Sequence, residues 1–132
     1  MASRNPGPKN VVKPSATAAD TASRSIGRDV TQVSVLAVTN DANDFITLPP
    51  LVSVPEGHRI TILCTAGGNF ELRTPAGTVE EINSEDCGTA NEYLCTDTQI
   101  VYVTKINNTI GWEANAYTAI GAVATAVVPD SV

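Results

Sequence analysis

Turn-forming residues punctuate this chain so often that no long element fits between them. NDAND (40–44), LPP (48–50), PEG (55–57), AGG (66–68), PAG (75–77), SEDCGTANE (84–92) and INNT (106–109) fall at intervals of roughly 8–12 residues. Between them lie short runs with a period of two. In HRITILCT (58–65), Ile60 and Ile62 share one parity and Thr61 and Leu63 the other. NFELRT (69–74) sets Phe70 and Leu72 against Glu71 and Arg73, and TQIVYVTK sets Val101 and Val103 against Ile100, Tyr102 and Thr104. VTQVSVLAV (30–38) and DFITLPP read as further strands, the latter stopped by Pro49 and Pro50, which cannot donate to a ladder. Residues 30–117 carry no amphipathic period of helical length. The C-terminal AIGAVATAVVPDSV is read as extended because of its β-branched residues and Gly121. Seven or eight short strands predict an all-β protein, a small antiparallel β-sandwich or jelly-roll-like domain.

The first 29 residues have a different texture. They are rich in Pro, Ser, Ala and Thr, and their large aliphatics are Val11, Val12 and Ile26. Such a segment cannot bury enough apolar surface to fold alone. It carries Arg4, Lys9, Lys13, Arg24 and Arg28 against Asp20 and Asp29, a charge of +3, whereas the remainder carries −9. The organisation expected is an extended basic N-terminal arm, residues 1–29, and a β-domain, residues 30–132. An acidic body argues against nucleic-acid binding, and five scattered basic residues are a weak phosphate footprint. No run reaches the ~18 apolar residues of a membrane span, and MASRNPGPKN lacks the apolar centre of a secretory signal. Production in a cytoplasm is the expectation.

Chemistry-bearing patterns are sparse. Cys64, Cys87 and Cys95 are odd in number and do not read as a disulfide framework, although Cys87 and Cys95 have the spacing to meet across a hairpin. His58 is the single histidine, so a metal site would have to recruit cysteines or carboxylates. No metal and no cofactor is expected. There is no GxSxG elbow. Glu80, Glu81, Glu85 and Asp86 read better as a solvated acidic strand edge than as paired catalytic acids. These patterns do not point to an enzyme. Trp112, in NNTIGWEANAY, reads first as a core or subunit-interface residue. Its second reading is a sugar-stacking platform formed with Tyr117.

The run DFITLPPLVSVPEGHRITILCTAGGNFELRTPAGTVEEIN, followed by TQIVYVTK and TIGWEANAYTAIG, resembles a strand-and-turn pattern of tailed-phage virion proteins over residues 44–117. That pattern occurs in capsid decoration (cement) proteins, head fibres and some tail-fibre domains. The resemblance implies a small, commonly trimeric β-domain without catalysis. It implies a place on the outer capsid surface of a bacteriophage virion, with the major capsid protein as partner. On that reading Arg4, Lys9, Lys13, Arg24 and Arg28 meet acidic shell surface, and Val11, Val12 and Ile26 act as apolar pegs. Fully stretched, such an arm spans roughly 95 Å at ~3.3 Å per residue. The small-residue strip AIGAVATAVV is expected to be buried in a homotrimer. The alternatives are a head-fibre or tail-fibre base and a carbohydrate-binding module.

Overall fold

The computed structural model describes residues 24–35, 38, 44–65, 67–119, 121–125 and 127–131. The protein is all-β. Its strands are β1 (Gln32–Ser34), β2 (Phe45–Thr47), β3 (Arg59–Leu63), β4 (Phe70–Arg73), β5 (Glu81–Ile82), β6 (Glu85–Asp86), β7 (Asn91–Cys95), β8 (Ile100–Asn107), β9 (Gly111–Tyr117) and β10 (Asp130–Ser131). Sheet I has the order β1-β3-β8-β9-β5-β6, and sheet II the order β10-β7-β4-β2.

The chain changes sheet at nearly every connection. Among the described strands only β5–β6 and β8–β9 are consecutive strands that pair, and the other connections arch from one sheet to the other. Two arches in succession return the chain to its starting sheet in its starting direction. Hence β1 runs parallel to β3, and β2 parallel to β4. β5 also meets β9 in parallel. The expected antiparallel sandwich is corrected here: both sheets are mixed.

The period-two pattern decides what lies inside. Val33, Ile60, Ile62, Val101, Val103, Ala114, Ala116 and Trp112 from sheet I meet Ile46, Phe70, Leu72, Tyr93 and Cys95 from sheet II in one core. Trp112 and Tyr93 are its largest fully buried side chains. With two Phe and one Trp in the chain, aliphatic packing supplies most of the rest.

Polar side chains finish what these short strands leave open. Asn83 lies beside β9, where its side-chain amide accepts from Ala114 N (2.8 Å) and donates to Ala114 O (3.1 Å). The same nitrogen is 3.1 Å from Val127 O, which ties down the C-terminal stretch. In this way one amide imitates a missing strand residue. Lys105 is buried on β8, and its Nζ donates to Leu51 O (2.6 Å), in the 3-10 turn Leu51–Ser53, and to Val54 O (2.7 Å) just after it. Gly111 has φ +87°, and a Cβ there would lie 2.5 Å from Glu81 O, so the approach of β5 to β9 requires glycine. Beyond β9, Val123 bridges Tyr117 and Ala124 N donates to Ala116 O (2.9 Å).

The end of the basic segment belongs to this body. Ile26 is 3% exposed within the core. Its N–H donates to Thr47 O (2.8 Å), and Ser25 bridges Thr47 in parallel, which covers the free edge of β2. An arm of residues 1–29 with almost no large aliphatic side chains is expected to add little to the core. Ile26 does contribute, so cutting at residue 29 would open the core, and a truncation that spares the domain has to stop before Arg24.

Candidate interaction surfaces

The outward residues of β3, β8 and β9 form a half-exposed face. Tyr102 and Tyr117 meet edge to face with centroids 5.4 Å apart. The Arg59 guanidinium lies 5.3 Å from the Tyr102 ring centre, and its Nε donates to Thr104 Oγ1 (3.2 Å). These positions follow from register: Arg59 pairs with Thr104, Thr61 with Tyr102, and Tyr102 with Asn115. The side chains open onto a shallow cavity of about 500 Å³ that reaches the 118–121 turn. Asn115 Nδ2 donates to Glu113 Oε1 (3.1 Å) at its margin. Neither ion pair found among the described residues involves Arg59.

The outer face of sheet II is built from charge. Arg73 holds Glu92 at 2.5 Å through its guanidinium terminus and at 2.7 Å through Nε. The guanidinium groups of Arg73 and Arg24 lie 4.0 and 4.2 Å from the centre of the Phe45 ring. Glu71 shares this face, and its Oε2 is buried with no hydrogen-bond partner. Burial first, then Glu92 and Asp130, push its pKa up to about 7, against the opposing pull of Arg73. Asp130 is brought there by its pairing with Glu92.

The sequence-predicted residues divide among these surfaces. Arg24 and Ile26 are buried against the domain. Arg28 is exposed, 3.9 Å from Asp29. Arg4, Lys9, Val11, Val12 and Lys13 lie outside the described residues. Trp112 is 1% exposed, which removes it from any sugar platform, and the residue beside Tyr117 on the surface is Tyr102. The parity of TQIVYVTK sets Tyr102 on the face opposite Val101 and Val103, and the β8–β9 hairpin register brings it beside Tyr117.

Cys87 and Cys95 do not face each other. Cys95 pairs with Phe70 in register and hydrogen-bonds Cys64 across the sheets. Burial and that bond raise the Cys95 pKa, and burial pushes Cys87 up to about 12. Both thiols are therefore kept protonated. Asp86 caps a turn, accepting from Gly88 N (2.9 Å) and the Thr89 hydroxyl, which lowers its pKa. Among the described residues no three His, Cys, Asp or Glu side chains form a metal cluster.

No family model, no curated protein and no solved structure matches the chain.

Proposed function

We propose that the protein is a non-enzymatic virion structural protein, a decoration or cement protein that binds the outer capsid surface of a bacteriophage. The major capsid protein is its partner. The observation that supports this most directly is the attachment of residues 24–26 to β2. A basic segment fixed to the sandwich at its C-terminal end can transmit a hold on a surface to the whole domain. The opposite charges of segment and body, and the phage-like strand-and-turn order of residues 44–117, support the same reading. Stabilisation follows from mass action, because a ligand that binds only the assembled shell favours the assembled shell. Homotrimerisation is part of the proposal, and exposed Val123 and Val128 in the C-terminal strip offer apolar surface for it.

The test compares the full chain with one lacking residues 1–23 on undecorated particles. The truncated protein is expected to keep its melting temperature and lose decoration. Replacing Arg4, Lys9 and Lys13 with Ser is expected to weaken attachment less and to flatten its salt dependence. Equal decoration by the truncated protein would refute anchoring by this segment. Mass measurement in solution and on particles tests the trimer.

A further inference from the structure

We infer that the cavity on the outer face of sheet I is a binding site for a carboxylate-bearing pyranose, a uronic or sialic sugar. Three observations converge on it. The volume, about 500 Å³, lies within the range of small-ligand sites. Tyr102 and Tyr117 supply aromatic surface for the C–H face of a pyranose and hydroxyls for its oxygens. The third is Arg59. Its Nε is spent on Thr104 Oγ1, and the Tyr102 ring lies beneath the guanidinium. Held in that way, the planar fork has little entropy left to lose on binding, and its terminal N–H groups match a carboxylate in bidentate geometry.

The chemistry selects among ligands. A neutral sugar would use the tyrosines and leave the guanidinium without an anion. Inorganic phosphate would use the guanidinium and leave the rings bare. An acidic pyranose uses both. Glu113, two residues before Asn115 on β9 and opposite Thr104, is engaged by Asn115 Nδ2 outside the cavity lining, where its charge disfavours a ligand carrying a second negative charge on that side. The Asn115 carbonyl stays available to a sugar hydroxyl. The site lies on the sheet opposite the one that receives residues 24–26, so it does not depend on how the protein is anchored.

The experiment is calorimetric titration of the full chain with trigalacturonate and with sialyllactose, to separate the two sources of the carboxylate. Galactobiose, lactose and inorganic phosphate serve as comparators. Binding of one acidic saccharide, at least tenfold tighter than its neutral counterpart and than phosphate, is expected. Arg59→Ala should remove that preference. Tyr117→Ala should weaken the acidic and neutral sugars alike by about tenfold, and Val79→Ser, at an exposed position outside the cavity, should change nothing. Melting curves establish that each variant is folded. Equal affinity for acidic and neutral sugars, absence of binding to every probe, or full binding by Arg59→Ala would each overturn the proposal. A solution oligomer in which Tyr102 and Tyr117 are protected from solvent would overturn it as well.

Discussion

The two outer faces of this sandwich use arginine in opposite ways. On sheet II, Arg73 is locked to Glu92 and packed over Phe45, and Arg24 is packed over the same ring. The face is closed on itself, and its charges are part of what holds the edge strands. On sheet I, Arg59 lies over Tyr102 with a threonine hydroxyl as its hydrogen-bond partner. The same side chain thus contributes structure where acids surround it and offers recognition where aromatics and hydroxyls do. Stability should depend steeply on one face and hardly at all on the other.

The largest expected effect comes from the segment that covers sheet II. Ile26→Ala should cost about 2–4 kcal/mol, the usual range for emptying a buried aliphatic site. It would be measured by urea unfolding of the full chain. A loss below about 1 kcal/mol would mean that residues 24–26 rest on the domain without supporting it. Arg73→Ala should follow at about 2 kcal/mol, because it leaves Glu92, Glu71 and Asp130 together without their cation.

Glu71 sharpens the contrast through pH. Its folded pKa of about 7 stands above the unfolded value of 4.5, so between them the native state holds a proton that the unfolded chain has released. Unfolding free energy therefore falls as pH rises across that window. Glu71→Gln should leave the melting temperature near pH 4.5 almost unchanged and raise it at pH 8. Calorimetry from pH 4.5 to 8.5 would show it, and a parallel decline in both proteins would assign the slope elsewhere. The smallest effect belongs to sheet I. Arg59→Ala and Tyr102→Ala should each stay within about 1 kcal/mol of the parent, as substitutions on half-exposed positions usually do. Larger losses would make that face structural.

Much of this contrast is legible in the sequence. Strand parity sets Glu71 and Arg73 opposite Phe70 and Leu72, and Tyr102 opposite Val101 and Val103, because alternation is a property of the extended backbone. Pairing is not legible. PEG, AGG and PAG announce reversals, but a reversal within one sheet and an arch between two sheets use the same residues, so the parallel β1/β3 and β2/β4 pairs carry no local mark. Ile26 is hidden for a related reason. A single aliphatic residue in a polar segment has no periodicity, and only the vacancy it fills beside β2 explains it. Trp112 is legible from its size rather than from its pattern. In a chain poor in aromatics, the largest side chain has the most apolar surface to remove from water, and it lies in the core.

The alternation of strands between sheets has a consequence for how the chain acquires its shape. A hairpin can zip as soon as its turn forms, but an arched strand must wait for a neighbour two elements away. β3 gains its antiparallel partner only when β8 has been made, and β7 gains β10 only after β8 and β9 have followed it. Loop closure must be met before those contacts give anything in return, which makes folding slow for the chain's size. A chain emerging from a ribosome in this order cannot complete either sheet until β8, β9 and β10 have followed the earlier strands. Until then the open edges of β3 and β7 can pair with a neighbouring nascent chain, so yield on overexpression should improve at low temperature, where fewer chains are being made at once.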